Sequence, residues 1–247
     1  MKVSGGGPHQ SKTMMLADLG AVLAAEAELQ PDKVIIGENL LGKPSSRARE
    51  AAAYYLRQLY GLGDTPPAVS RALFALWRRD PVGRPLLALL CAIARDPSLR
   101  GGAAAVLDGK VGEQIRSPAI AAAFEAEHPG RLGLNMANSL ARNAASSWTQ
   151  AGFLAGAVRK LRSRPKVTPT AAAYAALLAQ LAGFGGQTLL ESRWLDVLDR
   201  PAEDRMALLR QAEGLGLARV RSAGHVVEIE VRRPMAETLG IPGLVHR

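Results

Sequence analysis

Apolar residues recur at three- and four-residue spacing along most of the chain, a pattern that predicts a succession of amphipathic helices. The first is marked by Met15, Leu16, Leu19, Val22 and Leu23 and stops near Pro31. Val34, Ile35 and Ile36 predict a short strand or a helical turn. Over residues 47–60 a single stripe of Ala48, Ala51, Ala52, Tyr55, Leu56 and Leu59 predicts a helix, with Ser45 and Ser46 as N-cap candidates and Gly61 and Gly63 at its end. Asp64-Thr65-Pro66 opens a helix carried on by Val69, Leu73, Leu76 and Trp77, and Arg84-Pro85 opens the most apolar one, closed by Asp96-Pro97. Ser117-Pro118 starts another, ended by His128-Pro129-Gly130.

Residues 135–150 carry Met136, Leu140, Ala144 and Trp148 on one helical face and Asn135, Ser139, Arg142, Ser146 and Thr149 on another. Thr168-Pro169 or Thr170 starts an alanine-rich helix, and residues 189–198 and 202–213 predict two short helices. Strict alternation then sets in over 217–221 and 226–231, around a turn at Ser222-Ala223-Gly224, which predicts a β-hairpin. The expected fold is therefore mainly α, a multi-helix bundle with helix-turn-helix-like parts and a small C-terminal β-hairpin. Helix, helix, hairpin is the order that ends a winged-helix domain, where the hairpin is the wing and the preceding helix can lie in the major groove. The organisation expected is a flexible tail over 1–12, with Gly5, Gly6 and Gly7 in a row, an N-terminal helical domain over 13–110, and a helical, winged-helix-like domain over 111–247. Asp108-Gly109-Lys110 marks the boundary.

With 48% hydrophobic and 21% charged residues, the chain has the composition of a folded globular protein rather than of a disordered one. Cys91 is the sole cysteine, which excludes an intrachain disulfide and a cysteine zinc cluster and points to the cytoplasm. The N-terminus lacks the apolar core of a signal peptide. The longest apolar stretches, 85–94 and 170–183, fall short of the uninterrupted ~20 residues that a bilayer-spanning helix needs, so no membrane segment is expected.

Charge changes the picture most. The net charge is +9, and residues 131–190 contain no aspartate or glutamate while holding Arg131, Arg142, Arg159, Lys160, Arg162, Arg164 and Lys166. A carboxylate-free cationic interval is what a polyanion-binding face requires, although charge runs also serve solubility alone. Phosphate contacts are expected from Arg142, Arg159, Lys160, Arg162, Arg164 and Lys166, and approach to a groove from Asn138, Ser139, Ser146 and Gln150. Only 4% of residues are aromatic, too few for the stacking platforms that single strands use, which favours double-stranded DNA. On the hairpin, Arg219 and Arg221 either touch phosphate or pair with Glu228 and Glu230 across the strands.

Enzymatic motifs are weak. Gly37-Glu38-Asn39-Leu40-Leu41-Gly42-Lys43 has the glycine and lysine spacing of a P-loop, but Pro44 stands where a magnesium-binding hydroxyl belongs, and Leu40 and Leu41 read as core anchors. His9, His128, His225 and His246 are dispersed, with no metal-ligand spacing. Cys91 reads as a buried small hydrophobe, and Glu50, Asp64, Asp80 and Asp96 as helix-end residues. No catalytic residue, cofactor or metal is expected.

The run Glu38-Asn39-Leu40-Leu41-Gly42-Lys43-Pro44-Ser45-Ser46-Arg47 resembles a block near the N-terminus of the BrxA family of BREX phage-defence systems. Residues 143–154, Asn-Ala-Ala-Ser-Ser-Trp-Thr-Gln-Ala-Gly-Phe-Leu, followed by basic residues, resemble the second recurring block of that family. The resemblance implies a mostly helical protein that binds double-stranded DNA and acts beside a methyltransferase, an alkaline-phosphatase-like protein and ATPases. It adds Lys43 and Arg47, in the first block, to the candidate nucleic-acid contacts. The alternatives are a protein–protein adaptor of the same system and an RNA-binding, antitermination-like helical bundle.

Overall fold

The computed structural model describes residues 7–223 and 226–245. The chain is mainly helical, and the described residues form thirteen α-helices and two small antiparallel sheets of two strands each. It condenses into two compact units. One comprises the described residues up to Ser70 together with Cys91–Arg164, and the other comprises Arg71–Leu90 with residues 165–245. Residue 110, the expected boundary, lies inside the first unit. Two of the crossings fall within the continuous helices α3 (Ala68–Arg79) and α4 (Arg84–Arg95), so no linker composition marks them.

The first unit holds α1 (Leu16–Ala24), α2 (Ser46–Tyr60), α5 (Pro97–Gly101), α6 (Ala104–Leu107), α7 (Ser117–Glu127), α8 (Leu134–Gln150) and a short ribbon of β1 (Leu154–Ala155) and β2 (Leu161–Arg162). Helix α2 forms where its pattern predicts: Ser45 Oγ accepts the Ala48 amide at 3.2 Å, and Gly61 ends the helix at φ +66. Its stripe of Ala52, Leu56 and Leu59 is fully buried, each leucine contributing roughly 2 kcal/mol by transfer from water. Val34–Ile36 falls within a single π-helical turn, Lys33–Gly37, rather than a strand. Helix α7 packs along α8, which buries Leu140, Ala144 and Trp148. Trp148 meets Phe153 edge to face at 4.8 Å.

Residues 7–12, expected to be flexible, are packed into this unit. Pro8–Gln10 makes a 3-10 turn in which Pro8 and His9 are buried. Residues 1–6 lie outside the described residues. Leu40, expected as a core anchor, is exposed.

In the second unit, α9 (Pro169–Leu181) is buried on every side from Thr170 to Ala179 and serves as the central helix, against which α10 (Gly186–Leu190), α11 (Arg193–Asp196) and α12 (Ala202–Gly214) pack. An all-round apolar helix has no other stable place. Thr168 caps it, its Oγ1 accepting the Ala171 amide at 3.1 Å while donating to Asp80. The expected hairpin is present as β3 (Arg219–Ala223) and β4 (Val226–Glu230). The Gln180 side chain pins its far end, donating to Ile229 O at 2.8 Å and accepting from Val231 N at 2.9 Å. A last helix, α13 (Arg232–Leu239), follows without having been foreseen.

Candidate nucleic-acid interface

Most of the basic run forms the β-ribbon of the first unit. After α8, Gly152 takes φ +86 and turns the chain into β1, which pairs with β2 through Leu154↔Arg162 and Ala155↔Leu161. The other edge of β2 is covered by residues 112–115: Gly112 N donates to Arg162 O at 2.8 Å, Arg162 N to Glu113 O at 2.8 Å and Ile115 N to Lys160 O at 2.9 Å. The connecting loop is tight. Gly156 sits at φ +99, and a Cβ there would lie 2.2 Å from the Arg159 carbonyl oxygen, so only glycine fits. Lys160 Nζ donates to Gly156 O at 2.9 Å and closes the loop.

Arg162 has a different role from its neighbours. It is 2% exposed, its Nε donates to Val106 O at 2.7 Å, another guanidinium nitrogen donates to Ser163 O, and the guanidinium carbon lies 5.2 Å from the centre of the Phe153 ring. The expected phosphate contact at Arg162 is therefore replaced by an anchor that fixes the base of the ribbon. The acceptors Val106 O and Ser163 O and the Phe153 ring come from surrounding segments, and a charge count is blind to them. Arg159 and Arg164 are exposed, and Lys160 is half-buried. Among the described residues, none of the three has a carboxylate partner. Lys166 is exposed and belongs to the second unit.

The polar arc of α8 is divided. Asn138, Ser139 and Ser146 are half-exposed, and Arg142 is exposed with its guanidinium on Ser139 Oγ at 3.2 Å. The other part of the arc is covered by the N-terminal segment. Asn143 Nδ2 donates to His9 O at 2.9 Å, Ser147 Oγ accepts the Met14 amide at 2.8 Å, and Gln150 Oε1 accepts the Leu16 amide at 3.1 Å. The i, i+4, i+7 spacing of these three residues puts them on one face, and that face holds the segment. Gln150, expected to approach a groove, is committed to the start of α1.

The same segment brings His9 onto Asp96. The ring Nδ1 is 2.7 Å from the Asp96 carboxylate, the His9 amide donates to it at 2.9 Å and the Ser98 amide at 2.8 Å. Burial alone would push the Asp96 carboxyl up; the bond and charge of His9, with the two amides, override it and hold the group below its ordinary value of 3.8. Tyr60 donates its hydroxyl to Met14 O, and burial, with the nearby Cys91, raises its pKa so that it stays protonated. Gly7 is required here too, because a Cβ would lie 2.0 Å from Asp96 Oδ1.

His9 Nε2 is also 2.8 Å from Ser147 Oγ, so serine, histidine and aspartate stand in the order of a hydrolytic triad. All three are fully buried. The histidine lies on the very segment that covers the serine, so exposing the hydroxyl would carry the base away. This constellation is a structural clasp.

The P-loop-like run is held in another shape. Asn39, at φ +53, accepts the Lys43 amide through Oδ1 at 2.8 Å and donates to Lys43 O through Nδ2 at 3.1 Å. Lys43 Nζ is 2.9 Å from both Asp18 oxygens. Lys43, expected to touch DNA, is thus spent on an internal ion pair, whereas Arg47 is exposed.

The winged-helix-like part carries balanced charge. Across the hairpin Arg219 faces Glu230 and Arg221 faces Glu228, the latter pair at 3.8 Å. Helix α12, ahead of the hairpin, has exposed Glu203 and Asp204 in its first turn, and Arg205 is bound to Asp196 at 3.0 Å. Carboxylates at that end would repel a phosphate backbone.

No group of three or more metal-ligating side chains exists among the described residues, and no helix there is long and apolar enough to cross a membrane. Comparison with known proteins finds no matching family model, no matching curated protein and no matching solved structure.

Proposed function

We propose that this protein is a non-enzymatic, double-stranded-DNA-binding component of a BREX-type phage-defence system, holding the duplex mainly by its phosphates. One observation carries the reading: in a stretch free of carboxylates, Arg142, Arg159 and Arg164 stand exposed without an acidic partner, and the ribbon bearing Arg159 is fixed at its base by the buried Arg162. Unpaired guanidinium groups on a rigid element attract a polyanion without first breaking internal ion pairs. The half-exposed Asn138, Ser139 and Ser146 add neutral donors beside Arg142.

The phage-defence context, with a methyltransferase, an alkaline-phosphatase-like protein and ATPases as partners, rests on the two blocks that resemble the BrxA family. Their residues Asn39, Lys43 and Ser45, and Asn143, Ser147 and Gln150, build the first unit. The second unit has the helix–helix–hairpin order of a winged helix, but the arginine–glutamate pairing across its hairpin and the carboxylates that open α12 favour the first unit as the DNA-facing part.

Fluorescence-anisotropy titrations with matched duplex DNA, single-stranded DNA and structured RNA test the proposal. Tightest binding to the duplex is expected; equal or tighter binding to RNA, or no binding to the duplex, overturns it.

A further inference from the structure

We infer that the ribbon tip enters the minor groove of duplex DNA, with Val158 as an apolar wedge and Arg159 lying along the groove floor; this rests on the DNA-binding reading above. Val158 is 98% exposed, at the apex of a loop whose shape is fixed by Gly156 and by the Lys160–Gly156 hydrogen bond. A large apolar side chain held out on a closed loop gains nothing for the fold.

The tip is also slim. Ala155, Gly156 and Ala157 are exposed and carry at most a methyl group, so the end of the ribbon suits a groove about 6 Å wide. Its chemistry suits the same groove. Reading the major groove takes side chains that match donor and acceptor patterns, and residues 155–158 offer none. The minor groove offers a strongly negative floor, deepest in A·T-rich sequence, that draws in arginine, and apolar wedges at its base steps kink the duplex. Arg159, exposed and without a carboxylate partner, adjoins the wedge. A protein partner is less well matched, because Val158 has around it no other large apolar side chain on the ribbon tip to form an interface core.

The test measures affinity and end-to-end fluorescence transfer on A·T-rich and G·C-rich duplexes, for the full chain and for Val158→Ala and Arg159→Ala. Competition is run with the minor-groove ligand netropsin and the major-groove ligand methyl green. The expected result is preference for A·T-rich duplex, displacement by netropsin, bending of the duplex, and a loss of about ten-fold in affinity for either variant together with the bend. Both changes lie at an exposed tip, so melting curves should match the parent. Salt-dependent duplex binding that resists netropsin, yields to methyl green, or survives both substitutions with the bend intact overturns the tip assignment and leaves the DNA-binding reading standing. Failure to bind any duplex sinks both.

Discussion

His9 Nδ1 lies 2.7 Å from the Asp96 carboxylate, 87 residues away in the chain, with both groups sealed from solvent. This bond clasps the N-terminal segment to the body of the first unit. Because Asp96 titrates below its ordinary value of 3.8, its stabilising contribution is fully present above about pH 4 and is lost as the pH falls through the lower folded value. Urea melts from pH 7 to pH 3 should show stability falling at the acid end. Asp96→Asn should destabilise by about 1–3 kcal/mol at pH 7, as weakening a buried acceptor of three hydrogen bonds does, and should flatten the acid limb. An acid limb of unchanged steepness would remove Asp96 from this role.

Ser147→Ala deprives the Met14 amide of its acceptor and leaves His9 Nε2 without a partner. A cost of about 1–3 kcal/mol is expected, with faster hydrogen exchange concentrated at residues 9–16. Uniform loss of protection across the unit would contradict a local clasp.

Arg162→Met keeps much of the packing on Phe153 while removing the donors to Val106 and Ser163. The ribbon should loosen, with earlier proteolytic cleavage within 154–164 and a melting midpoint lowered by several degrees, equivalent to about 1–3 kcal/mol. If Arg162→Met instead kept the ribbon intact and lowered the salt dependence of DNA binding, Arg162 would be a phosphate contact after all.

Lys43→Met should change little. The pair with Asp18 is partly exposed, at 28% and 22%, so its loss costs at most about 1 kcal/mol, and duplex affinity at physiological salt should stay within about two-fold. A larger loss of affinity would return Lys43 to the DNA face.

Local features of the fold were readable from the sequence because their causes are local. Ser45 and Thr168 cap helices beside them, the stripe of α2 repeats at helical spacing, and alternation around 217–231 makes a hairpin. The docking of residues 7–16 was not readable, since glycine-rich sequence looks mobile until Asn143, Ser147 and Gln150 come into reach from a distant helix. For the same reason Gln150 read as a groove residue, although it serves this segment. The cationic run was visible as charge, but only the tertiary contacts of Arg162 with Val106, Ser163 and Phe153 separate it from the exposed Arg159 and Arg164.

The most direct measurement of the central claim is the dependence of duplex affinity on salt for the parent and for the triple variant Arg142→Ala, Arg159→Ala, Arg164→Ala. Each phosphate contact adds about 0.9 to the slope of log K against log salt, so the variant should lose roughly 2–3 from that slope and bind more weakly at every salt concentration. Equal slopes for the two proteins would contradict the account and place the DNA-binding surface elsewhere.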